Sequence, residues 1–332
     1  MSIRTAVCAT VLMSTLMACG GGGGDSGTTA TLEDDSAPVT AVQEEPQSAG
    51  DEQAGDGVST DGVLCDYGDV TFNSQESLSY TSESSWTCSE QRMLEANGIP
   101  DHEVGSFPNP GNPNVITEQS VSAAFTLLPV LTDQRTELGG PRGPVGYVLN
   151  GIKIDAATAG SCDDSGTSCS LVGGQNGSWE IEALGQSHFD FGVDFNNAHV
   201  QPDGAYHYHG MPEAFLAKVG ADGTVMTLIG WATDGFPIYA RYGYSDALDA
   251  SSSLVVVQGS YQLVSDVPAN RPSTDVYDLG TFSDDWEYVE GSGDLDECNG
   301  RFGVTPEFPD GIYHYFATDS YPFFQRCVRG SL

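Results

Sequence analysis

Positive charge is what this chain has least of: 11 Lys and Arg stand against 47 Asp and Glu, a formal net charge of −36. A surface of that sign repels phosphate backbones, which argues against nucleic acid as a partner and against an anionic lipid surface reached by charge alone. No apolar run has the length that a membrane-spanning helix needs. No Cys-x-x-Cys pair is present, so a zinc ribbon has no support. A Gly-x-Ser-x-Gly nucleophile elbow is missing as well, the nearest run, Gly185-Gln186-Ser187-His188-Phe189, failing at its last position, and there is no Walker-type phosphate loop. Most familiar enzyme classes are left without a motif.

What is present begins with a targeting signal. Arg4 supplies a positive start, a short apolar stretch follows, and Leu16-Met17-Ala18-Cys19 reads as a bacterial lipobox. The expectation is a signal peptide over residues 1–18, lipidation at Cys19, and a membrane partner reached through that anchor. Gly20, rather than an aspartate, follows the cysteine and points to a cell-envelope location at the outer membrane of a Gram-negative bacterium. Two or three acyl chains, at about 0.8 kcal/mol per buried methylene, hold such a protein at the surface. Residues 19–62 are glycine, serine, threonine and acid with no Lys or Arg, and cannot bury enough surface to offset chain entropy. They are expected to form a disordered acidic tether.

Residues 63–332 have the composition of one globular domain. Runs such as 120–127, 146–149 and 254–257 have strand length and composition, and the 41 glycines and 17 prolines of the chain imply many tight turns. The fold class expected is mainly β, a sandwich or open barrel with a few short helices. One helix is expected at 89–96, with Ser89 as its start and Asn97-Gly98 as its stop, and another near Glu213. Once Cys8 leaves with the signal and Cys19 takes lipid, six cysteines remain for three disulfides in an oxidising compartment. Sequence alone allows fifteen pairings; local closure favours Cys65 with Cys88, Cys162 with Cys169, and Cys298 with Cys327.

One internal repeat carries the candidate chemistry. Pro202-Asp203-Gly204-Ala205-Tyr206-His207-Tyr208-His209 recurs as Pro309-Asp310-Gly311-Ile312-Tyr313-His314-Tyr315-Phe316, each copy reading as a turn that launches a strand. Side chains alternate along a strand, so His207 and His209 share one face and Tyr206 and Tyr208 the other. If the copies are neighbours, His314 completes a three-imidazole site and His199 adds a fourth ligand or supports the others. Three histidines and an open position suit catalytic zinc, and copper binds imidazole more tightly at equal geometry. The competing reading is a ladder of buried, hydrogen-bonded Tyr and His. His102 and His188 look incidental, and Gly210 and Pro212 break the strand around Met211. Calcium is a further cofactor candidate, at Asp190, Asp194 and Asn196 or at Asp294, Asp296 and Glu297, although neither group has the spacing of a calcium loop.

The domain resembles the YHYH domain family, on the motif Tyr206–His209 itself and on Asn97–His102, Phe107-Pro108-Asn109, the Gly111 run, Leu149-Asn150-Gly151, Asn197–Gly204, Asp234–Tyr239, Asp296–Arg301, and Tyr313-His314-Tyr315 through Pro322 and Cys327. The resemblance names a domain without implying a reaction. Three functions follow from the residues: a surface-anchored protein binding copper or zinc through His207, His209, His314 and His199; a metal-dependent hydrolase or oxidase with Asp203 or Asp310 as base; and a structural or adhesive envelope module without metal.

Overall fold

The computed structural model describes residues 57–76, 78–173 and 177–332. The expected signal peptide, Cys19 and the tether up to residue 56 lie outside them. Residues 57–62, expected as the end of the tether, are packed against the domain. Thr60 is fully buried; its amide donates to Leu127 O at 2.8 Å, and its own carbonyl accepts from the Arg92 guanidinium at 2.7 Å. The globular part therefore starts earlier than Val63, because Arg92 needs these carbonyls as acceptors.

The chain opens with four strands, β1 (Asp66–Asn73), β2 (Tyr80–Cys88), β3 (Arg92–Ala96) and β4 (Val121–Phe125), in one antiparallel meander. The helix expected at 89–96 is replaced by β3. Along β3 burial alternates, with Arg92 and Leu94 fully enclosed and Met93 and Glu95 turned outward. A period of two can be satisfied only by a strand, and Arg92 is held by its stack on Trp231, 3.6 Å from the ring centre. Next come β5 (Leu131–Glu137), the hairpin β6 (Gly146–Val148) and β7 (Lys153–Ile154), and a small sheet of β8 (Ser161–Cys162), β9 (Cys169–Ser170) and β10 (Trp179–Glu180). The strands β11 (Ala198–Val200) and β12 (Tyr206–Tyr208) precede the single α-helix among the described residues, α1 (Glu213–Val219), which lies where the second helix was expected. A second hairpin, β13 (Thr227–Ala232) and β14 (Pro237–Ala240), leads into two ribbons made by β15 (Tyr242–Tyr244) with β16 (Leu254–Val256) and β17 (Tyr261–Leu263) with β18 (Trp286–Tyr288). The last strands are β19 (Gly300–Gly303), β20 (Ile312–Ala317) and β21 (Cys327–Gly330), which pairs back with β5.

Eight of these strands form one sheet in the order β11-β12-β7-β6-β13-β14-β20-β19. The meander shares a core with it: Trp86, Leu94 and Phe125 cluster with Val148, Ile154, Trp231 and Ile238, and the Trp86 indole donates to Leu149 O at 2.8 Å. The fold is mainly β, as its composition implied. All three expected disulfides are formed, Cys65–Cys88, Cys162–Cys169 and Cys298–Cys327.

The eight-stranded sheet reads the same from both edges. On each side an outer strand runs antiparallel to the motif strand, the motif strand runs parallel to the second strand of a hairpin, and the first strands of the two hairpins, β6 and β13, meet antiparallel in the middle. Thus β6, β7, β11 and β12 correspond in chain order to β13, β14, β19 and β20. Hydrogen bonds follow the same correspondence. Tyr206 donates to Asp194 at 2.8 Å and Tyr313 to Asp296 at 2.8 Å. The Asp194 amide donates to Ala198 O at 2.8 Å and the Asp296 amide to Gly300 O at 2.8 Å. Asn197 and Asn299 both take the left-handed conformation, φ 54° and 58°, which asparagine tolerates better than most residues. Each Pro-Asp-Gly turn needs the same freedom at Gly204 and Gly311, φ 88° and 91°.

Candidate metal centre

Side-chain alternation makes the site. On β12 the tyrosines turn to one face, where the Tyr208 hydroxyl contacts His102 Nε2 at 2.5 Å and Asn150 Nδ2 at 3.1 Å. His207 turns to the other face, His209 follows just past the strand end, and the antiparallel register places His199 of β11 directly beside His207. His209 Nε2 stands 3.0 Å from His207 Nε2 and 3.0 Å from His199 Nε2. The three rings pack edge to face with centroids 4.6, 4.7 and 4.8 Å apart. His207 and His209 are each 2% exposed, while His199 is partly open to solvent.

The outward nitrogens set the tautomers. His199 Nδ1 lies 2.9 Å from Phe191 O and His207 Nδ1 lies 3.2 Å from Ala205 O. A carbonyl accepts only from N–H, so both Nδ1 atoms carry the proton and both Nε2 atoms present lone pairs. His209 Nδ1 is buried and has no partner. Whichever nitrogen of His209 holds its proton, the cluster keeps a buried nitrogen unsatisfied: a proton on Nε2 serves only one of two facing lone pairs, and a proton on Nδ1 has no acceptor. Burial holds His199 below its usual pKa and His207 and His209 well below it. The neutral imidazole so favoured is the form that ligates a metal. Nitrogens roughly 2.0–2.1 Å from a tetrahedral zinc stand about 3.3 Å apart, close to the spacing found here. The donor set fits a cation that takes imidazole.

His314 is not part of this cluster. Four strands separate β12 from β20, so at about 4.8 Å per strand the two motif copies lie roughly 24 Å apart along the sheet. Its Nδ1 lies 2.9 Å from Ile312 O, and its ring packs against Tyr239 and Phe316. Burial pushes the His314 imidazole down to about 3. Between that value and the ordinary value of about 6.5 the unfolded chain binds a proton that the folded chain refuses, so stability is full above pH 6.5 and falls as pH drops. From pH 7 to pH 4.5 this single group costs about 3 kcal/mol. A His314→Phe chain is expected to lose less stability over that interval by about this amount, read from urea midpoints at the two pH values.

The carboxylates find other uses. Asp203 and Asp310, expected as bases, are exposed turn residues, and the Asp203 carboxylate accepts from the Ala205 amide at 3.1 Å. Asp194 accepts from Tyr206, from the amides of Gly105 and Asn196 at 2.9 Å, and from Ala198. The Asp190 carboxylate accepts from the Gly192 amide at 2.8 Å and the Asn196 carbonyl from the Ala214 amide at 2.9 Å. Asp296 accepts from the amides of Cys298 and Gly300 and from Tyr313, Asp294 accepts from the Gln258 amide, and Glu297 pairs with Arg135. Both groups considered for calcium therefore spend oxygen lone pairs on protein donors.

Three residues outside the expected set, His102, Asp101 and Lys153, pack around the motif strand. His102 meets Tyr208, and Asp101 accepts from Asn150 at 2.8 Å and from Lys218 at 2.7 Å. Lys153 stands in register beside His207 on the parallel strand, its ammonium on Gln201 at 2.6 Å. His188 pairs at 3.2 Å with exposed Asp278.

A family model described as YHYH protein matches residues 122–330, from β4 to the end of β21. The chain belongs to the YHYH protein family. The matched span holds both copies of the motif and all three histidines of the triad, while the strands β1 to β3 and the segment with His102 precede it. No curated protein and no solved structure matches this YHYH chain.

Proposed function

We propose that this YHYH protein is a lipid-anchored envelope protein that binds one copper or zinc ion through His199, His207 and His209. One observation carries the metal reading: His209 Nε2 stands 3.0 Å from the Nε2 atoms of both His207 and His199, with the Nδ1 protons of those two rings already committed to backbone carbonyls. Side chains that served only as a structural ladder would pair each donor with an acceptor, and here the lone pairs of His199 and His207 share at most one proton, that of His209. Copper exceeds zinc in affinity at equal geometry. The anchor rests on the Leu16-Met17-Ala18-Cys19 sequence, and the acidic stretch behind it would hold the domain away from the bilayer.

Asp310 lies with the second motif copy, so a hydrolase or oxidase built on the same ion would not draw its base from there. Binding, buffering or delivery of the ion is the function that the donor set supports. X-ray absorption at the copper or zinc edge of the loaded chain is expected to count three imidazole nitrogens at about 2.0 Å, and two in a His199→Ala chain. An oxygen-only shell would place the ion on surface carboxylates and end this reading.

A further inference from the structure

The second half of the eight-stranded sheet repeats the first, yet the positions of the three imidazoles carry different residues. In register, Arg301 pairs with His314 as His199 pairs with His207. Phe316 follows His314 by two residues as His209 follows His207, and its amide donates to Asn299 O at 2.9 Å where the His209 amide donates to Asn197 O at 2.8 Å. The rings agree in placement as well. His314 and Phe316 have centroids 5.0 Å apart at 58°, against 4.8 Å and 63° for His207 and His209. His314 Nδ1 is committed to the carbonyl two residues before it, as in the first half, so its Nε2 also presents a lone pair. That Nε2 is buried without a partner.

The cation of the second half is covalent. The Arg301 guanidinium lies over Phe316, 5.3 Å from the ring centre, and one of its nitrogens donates to Tyr244 O at 2.8 Å. Its Nε is buried and unpartnered. This always-charged group takes the place in the register that His199 holds in the first half, and its charge helps keep the His314 imidazole neutral.

We propose that the second half is a retained copy of the metal site, closed to metal by Arg301 and Phe316, which stand in the places of two of its ligands. This rests on the metal reading of the first half. It makes Arg301 and Phe316 the residues that limit the protein to one metal, and His314 a ligand left in place.

The test is the double substitution Arg301→His, Phe316→His in the full chain, with copper or zinc measured per chain by elemental analysis after dialysis. Bound metal is expected to rise from one to two per chain, and to return to one when His314→Ala is added. A double variant that folds, by circular dichroism and thermal unfolding, and still binds a single ion overturns the proposal. Should that variant not fold, the reciprocal exchange His199→Arg, His209→Phe decides. It is expected to fold without metal, melting within about 5 °C of the metal-free native chain, and to bind none; failure to fold overturns the equivalence of the halves. A native chain that takes up no ion defeats the metal reading alone, and the reciprocal exchange then still judges the copy.

Discussion

Copper or zinc is expected to raise the melting temperature of the metal-free chain by about 5–10 °C when the free ion is in hundredfold excess over its dissociation constant. An ion that binds only the folded chain stabilises it by about 2.7 kcal/mol at that excess, and a domain of this size gains roughly 2–4 °C for each kcal/mol. The gain comes from a definite source. Metal-free, the inward lone pairs of His199 and His207 have at most the one His209 proton between them, within a largely buried cluster. An ion at the centre would take up a lone pair from each of the three rings. In a His207→Ala, His209→Ala chain the shift should vanish. That control matters because a chain of net charge −36 collects cations on its surface whatever the triad does. A shift of equal size in native and double-mutant chains, read by scanning calorimetry with and without chelator, would assign the effect to surface carboxylates.

The second large effect is expected at Asp194, which touches no ion. Its carboxylate accepts from the Tyr206 hydroxyl at 2.8 Å, from the amides of Gly105 and Asn196 at 2.9 Å, and from Ala198 at 3.3 Å, and so fixes the turn that delivers His199 to β11. Asp194→Ala leaves several buried donors without acceptors, at about 1–3 kcal/mol each, so a loss of roughly 3–6 kcal/mol is expected in urea unfolding. Affinity for the ion should fall about ten- to hundredfold, the usual result when the group that orients a metal ligand is removed. Asp194→Asn keeps an acceptor and should fall between the two. A folded Asp194→Ala chain with native metal affinity would show that His199 is positioned by its own strand pairing alone.

How much of this was legible beforehand depended on the range of the signal. The Tyr-His alternation of 206–209 was readable because a strand has period two whatever surrounds it, and the same reasoning placed His207 and His209 together. The three cysteine pairs close short loops, so nearest neighbours were the right partners. His314 was assigned to the site from the repeat alone, and only the strand order shows that four strands intervene. His199 was ranked behind it, although a neighbouring antiparallel strand is the closest source of a third ligand. Beyond the motif the repeat is not legible for a local reason: Asn197 precedes Tyr206 by nine residues, whereas Asn299 precedes Tyr313 by fourteen, so the longer turn breaks the alignment of the halves. At 89–96 the helix signals at either end outweighed the alternation of Arg92 and Leu94, because a buried arginine does not announce itself as a core residue until Trp231 and its carbonyl partners are known.

The claim on which the rest depends is that His199, His207 and His209 hold one ion. Elemental analysis of the chain, purified without an affinity histidine tag and dialysed after exposure to copper and zinc, tests it directly beside the His207→Ala, His209→Ala chain. About one copper or zinc per native chain is expected, and none in the double mutant. No bound metal in the native chain, or an equal amount in both, would contradict it.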